Sequence, residues 1–350
     1  MENAIIKEDL EAIESSNLPW EKLAGKTVLI SGANGFLATY IVKTLLFLNK
    51  KIGNKTKIIG LVRDRKKAKA RFANYPGRDD LKLVVCDLTK PISIDQKIDY
   101  IIHAASHASP KYYGIDPVGT LLPNTLGTFH LLELARIKNV EAFLFFSSGE
   151  VYGDTGERKI PIKEDYFGSV DPALVRSCYA ESKRMGEAMC ISWHYQYNVP
   201  VKIVRPFHTF GPGMKLDDGR VYADFVSDIV HGRNIVIKGN GRGKRAFCYL
   251  ADATCGFFLV LLKGKIGECY NVGNDKGEIS IRGLADLLVS LFPEKKLKVV
   301  KKERKKNDSY LKSTVSRVCP DIAKIRTLGW KAKYSLKEGF LRTVRSYEIA

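Results

Sequence analysis

Residues 26–38 read Lys26-Thr27-Val28-Leu29-Ile30-Ser31-Gly32-Ala33-Asn34-Gly35-Phe36-Leu37-Ala38. The short apolar run at the start predicts a β-strand, and an apolar helical pattern follows the glycines through about Leu48. A strand, a glycine turn and a helix in this order are typical of the phosphate-binding start of a dinucleotide-binding βαβ unit. This stretch therefore predicts both the fold class and a cofactor site.

The small residues of the turn each have a physical role. Gly32 permits the tight turn, Gly35 lets the backbone approach a pyrophosphate, and Ala38 allows the helix to pack closely on the strand. The spacing is G-x-x-G-x-x-A, and the alternative is a plain helix-capping turn, which explains less of the surrounding pattern. The candidate cofactor-binding residues of this segment are Gly32, Asn34, Gly35, Phe36 and Leu37.

Further apolar runs alternate with helical patterns along the chain. They predict strands at residues 57–62, 83–88, 100–106, 142–146 and 201–205. Nearly continuous apolar strands that alternate with helices indicate an α/β protein with a doubly wound parallel sheet of the Rossmann type. We expect three regions: a helical arm at 1–24, an NAD(P)-binding domain at 25–205, and a smaller, partly interleaved C-terminal substrate lobe at 206–350.

The end of the second strand bears on the choice between NAD and NADP. An acidic residue there binds a ribose 2′-hydroxyl, whereas an arginine accommodates a 2′-phosphate. The sequence has Arg63 at this point, with Asp64 one position later and still within reach of a ribose. The basic run that follows also fits a solvated helix start. NAD is the first expectation, and NADP stays open.

Other strand ends contribute further cofactor candidates. Asp87 and Leu88 follow the third strand, where they are placed to contact adenine, although Asp87 also fits a turn or cap. Ala104 and Ala105 end the fourth strand, and such small residues let a cofactor lie close. Beside them, His103 is expected to be a core histidine with satisfied hydrogen bonds rather than a catalytic group.

The second chemical motif is Tyr-x-x-x-Lys, formed by Tyr179 and Lys183. Residues four apart lie on one face of a helix, so the ammonium is expected near the phenol and should lower the pKa of Tyr179 toward neutrality. A phenolate can take a proton from a sugar hydroxyl while hydride leaves the same carbon. An ordinary amphipathic helix is the alternative.

Residues 147–153 follow the fifth strand, at the end of the sheet where ligands bind.

Composition narrows the class of protein. The net charge of +19 fits an anionic partner, but the lysine-rich sequence has no nucleic-acid-binding motif. We interpret the charge as a solvated surface with some bias toward a diphosphate, and expect no nucleic-acid partner. No apolar stretch reaches the ~18 residues that span a bilayer, and no signal sequence is evident, so we expect a cytoplasmic protein without a membrane partner. The seven scattered cysteines indicate reduced thiols and no metal site.

Two basic segments lie in the C-terminal lobe. The turn at 239–245 fits either a phosphate-binding loop or a basic hairpin, and Arg245 is its strongest ligand candidate. The run at 301–306 is interpreted as a solvated charge run.

Together these features resemble the extended short-chain dehydrogenase/reductases, the NAD-dependent epimerase/dehydratase family of nucleotide-sugar enzymes. The resemblance covers roughly residues 25–345 and is strongest to the UDP-glucuronate decarboxylases. The segments that carry it are His107-Ala108-Ser109-Pro110 with Tyr113 and Asp116-Pro117, Glu150-Val151-Tyr152-Gly153-Asp154, Arg176-Ser177-Cys178-Tyr179 with Lys183-Arg184, and Asp218-Gly219-Arg220-Val221.

The resemblance implies roles for particular residues. Tyr179 would take the proton of the sugar 4-hydroxyl, and Lys183 would hold the ribose. Ser148 would lie beside the sugar 4-oxygen, and Glu150 would be an acid/base carboxylate. The implied substrate-binding positions are Tyr113, Arg176, His208, Arg220 and Arg245.

The chain also departs from the family pattern. Gly149 stands where decarboxylases have Ser and where dTDP-glucose 4,6-dehydratases have an acidic Asp. Val318 stands at a decarboxylase arginine, with Arg317 one place earlier, and His208 replaces a diphosphate-binding Asn. Whether Arg317 or His208 replaces the missing family residue stays open.

The resemblance implies modification of a nucleotide-diphosphate sugar through a 4-keto intermediate, with a tightly bound nicotinamide that is recycled. Elimination of water needs an acid that Gly149 does not provide, so decarboxylation is the first expectation. The alternatives are 4,6-dehydration, epimerisation, or, in another class, a non-catalytic nucleotide-binding protein. We further expect a role in polysaccharide biosynthesis, and a homodimer that pairs through the helix at 124–137 and the helix that carries Tyr179.

Overall fold

The computed structural model describes residues 3–302, residue 311 and residues 315–348. The α-helices within this range are α1 (Ala4–Glu14), α2 (Phe36–Ile52), α3 (Arg65–Arg71), α4 (Pro117–Asn124), α5 (Leu126–Lys138), α6 (Cys178–Tyr197), α7 (Val221–Val230), α8 (Leu250–Lys263), α9 (Ile281–Leu291), α10 (Ala323–Arg326) and α11 (Leu336–Glu348).

The strands are β1 (Thr27–Ser31), β2 (Lys57–Val62), β3 (Leu81–Val85), β4 (Tyr100–His103), β5 (Ala142–Phe146), β6 (Val201–Pro206), β7 (His208–Phe210), β8 (Ile235–Lys238), β9 (Lys244–Tyr249), β10 (Cys269–Val272), β11 (Glu278–Ser280), β12 (Val299–Lys302) and β13 (Arg317–Val318). Helices separate most neighbouring strands in the first half of the chain, except that β4 follows β3 without a helix between them.

The large sheet has seven parallel strands in the order β10-β6-β5-β4-β1-β2-β3. The chain builds outward from β1 to β3 and then returns to place β4 on the other side of β1. This reversal leaves a crevice beyond the carboxyl ends of β1 and β4, which is where open α/β sheets bind ligands. The predicted doubly wound parallel sheet is confirmed.

Apolar side chains explain why the sheet is covered on both faces. Val28 and Ile30 of β1 belong to one buried cluster, whereas Leu29 between them belongs to another. Successive side chains of a strand point to opposite faces, so a fully apolar strand must bury both faces. Helices pack on each side and exclude water from the inner strands β1, β4 and β5, whereas the edge strand β3 is partly exposed.

Several predicted boundaries shift. β2 matches its predicted range, but the third strand spans 81–85 rather than 83–88. The helix after the glycine turn continues past Leu48 to Ile52, because its end is set by Gly53 in the left-handed conformation with φ of 66°. The helix expected at 124–137 is α5, which begins two residues later at Leu126. The additional helix α4 ends at Asn124, and Thr125 between the two has φ of −111° and ψ of −77°.

The later half of the chain is interleaved with the first. β10 extends the large sheet beside β6, whereas β7, β9, β11 and β13 form a separate small sheet, and β8 pairs with β12. The predicted division at residue 205 therefore stays a prediction. Of the predicted charge run, residues 303–306 lie outside the described residues.

The N-terminal helix α1 is fixed by a buried carboxylate. Asp9 accepts hydrogen bonds from Tyr40 at 2.9 Å, from Tyr249 at 2.8 Å and from Arg342 at 2.8 Å. These partners come from α2, from β9 and from α11, so one acidic side chain connects the two halves of the chain.

All seven cysteines are free thiols, as predicted. Among the described helices none is long and apolar enough to cross a bilayer.

Candidate active site

One cavity lies at the carboxyl edge of the large sheet, between the ends of β1, β4, β5 and β6 and the C-terminal segments. Its lining includes groups from nearly every region of the chain that the sequence analysis singled out. The lining residues are Gly35, Phe36, Leu37, Ala38, Ala104, Ser106, Ala108, Pro110, Tyr113, Phe146, Ser147, Ser148, Gly149, Glu150, Gly153, Ile162, Tyr179, Lys183, Pro206, Phe207, His208, Thr209, Arg220, Tyr222, Val315 and Val318.

The glycine turn has the shape that a dinucleotide phosphate requires. Gly32 has φ of +65°, and a Cβ built on it would lie 2.7 Å from the Cα of Ala105, so only glycine fits. Gly35 is the N-cap of α2, and no side chain caps the amide groups of the first turn. Backbone N–H groups at such a helix start bind phosphate. The residues present therefore fit the pyrophosphate of a dinucleotide.

The other predicted cofactor residues lie along the same sheet edge, but only some of them line the cavity. Phe36, Leu37 and Ala104 line the cavity. Asn34 is half-buried within the turn, and Ala105 donates its N–H to Ser31 Oγ at 3.2 Å.

The ends of β2 and β3 carry the remaining candidates. Arg63 is exposed directly after β2. Asp87 is exposed after β3, and its carboxylate accepts from the N–H and the hydroxyl of Thr89 at 3.0 and 2.9 Å, as in an Asx turn. Leu88 is buried against Gly127 of α5. Contact of these residues with a cofactor stays a prediction.

His103 is a core residue, as predicted. Its ring nitrogens lie 2.8 Å from Ser31 Oγ and 3.1 Å from Thr128 Oγ1, and the side chain is fully buried. Burial, together with the charge of Lys183, lowers the pKa of His103 to about 3 and keeps the ring neutral.

Tyr179 and Lys183 lie together at the start of α6, and both side chains are buried. The Tyr179 ring stacks on Tyr113, with ring centroids 5.3 Å apart, and Ser148 acts to lower the pKa of its hydroxyl. The Lys183 ammonium donates to the carbonyl oxygen of Phe146 at 2.5 Å, and it lies 5.9 Å from the centroid of the Tyr179 ring. The helix thus places the base candidate and the ammonium on one side of the cavity.

The expected fall in the pKa of Tyr179 is wrong for this structure. Burial raises the pKa of Tyr179, and the carboxylate of Glu150 adds to that effect, while the Ser148 hydrogen bond and Arg220 oppose it. Burial also lowers the pKa of Lys183 to about 7, so this ammonium is a weaker neighbouring charge than an ordinary lysine. The spacing of the motif indicates proximity, but it contains no information about desolvation, which dominates both groups.

A short helical turn, Gly149–Tyr152, follows β5, with Ser148 as its N-cap and Glu150 within it. Ser148 Oγ accepts from the Glu150 N–H at 3.2 Å, and the Glu150 carboxylate lies 3.4 Å from Arg176 Nη1. Arg176 also lies 6.0 Å from the centroid of the Tyr113 ring. The structure therefore brings the four predicted catalytic residues together and places Tyr113 and Arg176 beside them.

An ion pair between α6 and β6 is hydrogen-bonded to two residues that flank Ser148 and Glu150 in the sequence. Arg205 of β6 donates to both carboxylate oxygens of Glu187 at 2.8 and 2.6 Å, and it also donates to the Tyr152 hydroxyl at 2.8 Å. Ser147 donates to the same Glu187 carboxylate. Sequence analysis did not select this pair as part of the site. The available signal was an arginine at the end of an apolar strand, which needs a buried acidic partner.

The remaining substrate-binding candidates surround the other side of the cavity. Arg220 donates to Asp218 at 2.7 Å and to the carbonyl oxygen of Ala108. His208 lines the cavity, and burial lowers its pKa to about 3. Its buried Nδ1 atom has no hydrogen-bond partner among the described residues. A neutral imidazole with an unpaired nitrogen is available for a polar ligand.

Arg245 is held differently. Its guanidinium donates to the carbonyl oxygens of Lys244, Val315 and Ser316 at 2.8, 2.7 and 3.2 Å. Val315 itself lines the cavity, so Arg245 fixes a segment of the cavity wall. Direct contact of Arg245 with a substrate stays a prediction.

The departures from the family pattern now have positions in space. A Cβ on Gly149 would lie 3.2 Å from the ring of Phe207, so the aromatic ring occupies the region that a longer side chain would use. Val318 lines the cavity, whereas the Arg317 guanidinium donates to the Glu278 carboxylate at 2.6 and 2.8 Å. Arg317 therefore does not replace the missing arginine at position 318.

Comparison with known proteins agrees with this arrangement. The model of the family described as the NAD dependent epimerase/dehydratase family matches residues 28–273. UDP-glucuronic acid decarboxylase 3 of Arabidopsis thaliana is 34% identical over 314 residues, which cover 89% of this chain and 86% of that protein.

Solved structures of similar fold extend over nearly the whole chain. A dTDP-glucose 4,6-dehydratase from Bacillus anthracis in complex with NAD superposes with a TM-score of 0.77 at 19% identity, covering 92% of this chain and 96% of that one. A UDP-glucuronic acid 4-epimerase from Bacillus cereus in complex with UDP-glucuronic acid and NAD superposes with a TM-score of 0.75 at 22% identity, covering 92% of this chain and 99% of that one. At these identities the likeness shows the fold.

Proposed function

The chain belongs to the NAD dependent epimerase/dehydratase family, and from this premise we propose that it is an enzyme that modifies a nucleotide-diphosphate sugar through a 4-keto intermediate. The reaction that we favour is decarboxylation of a nucleotide-linked uronic acid. The similarity to a UDP-glucuronic acid decarboxylase over most of both chains supports this proposal. The tightly bound, recycled nicotinamide cofactor of the same proposal is supported by the NAD complexes of the two similar structures.

One observation favours decarboxylation over elimination of water. The position between Ser148 and Glu150 is a glycine, and the Phe207 ring fills the adjacent space. The only carboxylate among the described lining residues is that of Glu150. A departing hydroxide needs an acid, and a positioned acid or base contributes ~10²–10⁴-fold to a rate. Carbon dioxide leaves without a proton, so this cavity suits its loss better.

The residues of the chain supply the binding and the proton transfers. The glycine turn, Ala104, Ala105 and Lys183 would hold a nicotinamide dinucleotide, which supplies a reversible hydride acceptor for C4 of the sugar. Tyr179, as its phenolate, would take the proton of the 4-hydroxyl, and Ser148 would share a hydrogen bond with that oxygen. Because burial raises the pKa of Tyr179, this role requires that the positive charge of a bound oxidised nicotinamide favour the phenolate. In the 4-ketone, the bond from C5 to its carboxylate breaks and the electron pair moves toward the C4 oxygen. Glu150 then delivers a proton to C5, C4 takes back its hydride, and Tyr179 returns its proton to the C4 oxygen, so that the dinucleotide would end in its starting oxidation state.

A second candidate reaction is favoured by the apolar part of the cavity wall. Ile162, Phe207 and Val318 line this part, and none of them can pair with a carboxylate. An uncharged hydroxymethyl group on C5 is more compatible with such a wall. This feature favours a 4,6-dehydratase or an epimerase, in which case Glu150 acts at C5 without loss of carbon dioxide.

We also propose a homodimer, a cytoplasmic location and a role in polysaccharide biosynthesis. For the dimer, the support is a set of exposed apolar side chains on α5 and α6, which include Leu126, Phe129, Met185 and Ile191. Burial of these side chains by a second copy of the chain would remove them from water. Light scattering is expected to give twice the mass of the chain, and a monomeric mass at micromolar concentration contradicts the dimer.

The reaction is tested by mass spectrometry of products. The purified protein is incubated with UDP-glucuronate and, separately, with UDP-, dTDP-, CDP- and GDP-glucose. Loss of carbon dioxide from the glucuronate is the expected result. Loss of water from a glucose nucleotide instead supports the dehydratase, and an unchanged mass with an altered proton NMR spectrum supports an epimerase. If no substrate changes although it binds, the non-catalytic alternative is favoured.

A further inference from the structure

We propose that the ion pair between Glu187 and Arg205 positions residues 147–152 for the reaction. This segment carries Ser148 and Glu150, which the proposed function places at C4 and C5 of the sugar. Neither Glu187 nor Arg205 is among the described residues that line the cavity, so the pair would act through its neighbours. The inference rests on the proposed function and adds two positioning residues to it.

The ion pair contacts both ends of the segment. At the start, the hydroxyl of Ser147 donates a hydrogen bond to the Glu187 carboxylate. At the end, the hydroxyl of Tyr152 accepts a hydrogen bond from Arg205 Nη1 at 2.8 Å, and the Tyr152 ring centroid lies 4.9 Å from the guanidinium. The residues with proposed chemical roles lie between these two contacts, so a displacement of the pair would displace them.

The geometry of the pair leaves its side chains little freedom. Arg205 Nε and Nη2 donate to the two carboxylate oxygens of Glu187 at 2.8 and 2.6 Å, and Nη1 also donates to the carbonyl oxygen of Glu164 at 3.0 Å. A planar guanidinium that binds a carboxylate through two donors fixes the orientation of both groups. The two side chains are only 11% and 14% exposed, so water competes little for these hydrogen bonds.

Glu187 also connects the segment to the helix that carries the proposed base. It follows Lys183 by four residues and Tyr179 by eight, so the three side chains lie along one side of α6. The Lys183 ammonium donates at 2.5 Å to the carbonyl oxygen of Phe146, the residue directly before the segment. One side of α6 therefore carries the proposed base and holds the end of β5 together with the segment that follows it.

A contribution to stability alone does not account for these contacts. A buried ion pair stabilises a fold little more than well-packed apolar side chains do, because the loss of hydration offsets the attraction. What the pair provides is hydrogen bonds of defined direction, which here end at Ser147 and Tyr152. Arg184 of α6 donates to the carbonyl oxygen of Val151 at 3.2 Å, so the same helix also holds the middle of the segment.

The test removes one contact of the pair while the pair itself stays intact. Tyr152→Phe deletes the hydroxyl that Arg205 binds, and Tyr152 is not among the described residues that line the cavity. We expect kcat to fall about 10- to 100-fold, the effect of misplacing reacting groups by on the order of 1 Å. KM and dinucleotide binding should stay within about twofold of wild type, since the groups that bind them are unchanged. Arg205→Lys keeps the charge but not the planar fork, so kcat should fall similarly.

A second measurement does not depend on turnover. Amide hydrogen exchange, followed by mass spectrometry of peptides that cover residues 147–152, should be faster in Tyr152→Phe than in wild type, while peptides from α6 should exchange alike. The matched control is Tyr166→Phe, the same chemical change in a ring that stacks on Tyr152 with centroids 6.3 Å apart. It should match the wild type in kcat and in exchange.

A wild-type kcat in Tyr152→Phe overturns the inference. A raised KM with an unchanged kcat also overturns it, because the segment would then contribute to binding only. An equal loss of kcat in Tyr166→Phe has the same consequence, since the effect would not depend on the ion pair. If the wild-type protein converts none of the nucleotide sugars, the proposed function fails, and the exchange comparison alone decides whether the pair holds the segment.

Discussion

Replacement of Tyr179 by phenylalanine is expected to lower the turnover of the nucleotide sugar by about 10²–10⁴-fold, which is the usual contribution of a positioned acid or base. The change removes one oxygen atom from a ring that stays stacked on Tyr113. The hydroxyl that it removes is the proposed base, and both its residue and Ser148 line the cavity. Binding of the dinucleotide, measured by fluorescence titration, should stay within about twofold of wild type, since the packing of α6 is retained.

The control is Tyr195→Phe, the same chemical change on the same helix. Tyr195 is 90% exposed and lies three helical turns beyond the cavity, so its variant should match the wild type in turnover. Product formation is measured with the substrate that the mass spectrometry identifies. If Tyr179→Phe keeps more than about a tenth of the turnover, Tyr179 is not the base and another group takes the 4-hydroxyl proton.

The strands of the sheet were predictable because each is marked by a short run of apolar residues that are neighbours in the sequence. A run such as 142–146 is apolar at every position, and β5 forms over that same range with all five residues buried. Glycine positions are equally readable, since the turn at Gly32 needs a positive φ that other residues rarely adopt. These signals depend only on neighbouring residues and on the two-residue period of a strand.

The ion pair close to the site was not predictable in the same way. The break between α4 and α5 has a local signal, because Pro123 lies two residues before Thr125 and donates no N–H. Glu187 and Arg205 meet because α6 and β6 pack together, and neither residue's neighbours in the sequence specify that contact. Tertiary packing therefore decides the positions that support the chemistry, while local sequence decides the elements.

Whether Arg317 or Val318 faces the cavity depends on how β13 is aligned with β9, because a shift by one residue would exchange their faces. β13 pairs with β9 so that Arg317 lies opposite Lys244 and Val318 lies opposite Arg245. Adjacent residues of a strand point to opposite faces, so one of the two must turn away from the cavity. The sequence alone does not specify how β13 pairs with β9. In the structure Arg317 forms an ion pair with Glu278, and Val318 lines the cavity.

Burial of Lys183 should leave a signature in the pH dependence of stability. Its folded pKa is about 7, against 10.5 for an ordinary lysine, because desolvation disfavours the ammonium. Below about pH 7 Lys183 is protonated in both the folded and the unfolded chain. The folded chain is then destabilised by the full free energy of burying the ammonium. Between about pH 7 and pH 10 the unfolded chain keeps a proton that the folded chain has lost, so stability increases with pH. The increase is about 1.4 kcal/mol for each pH unit in that window.

Lys183→Met removes this titration, so we expect the wild-type protein to gain ~2 kcal/mol of unfolding free energy relative to the variant between pH 7 and pH 9, since half of the folded molecules have already lost the proton at pH 7. Urea unfolding at several pH values, on protein freed of dinucleotide, measures the difference. The variant leaves the Phe146 carbonyl without its donor, which shifts its stability by a similar amount at every pH and leaves the trend intact. Lys50→Met, at an exposed lysine of α2, should show no such trend. A constant difference between wild type and Lys183→Met would mean that the buried side chain keeps its proton throughout, and that Lys183 supplies a full positive charge beside Tyr179.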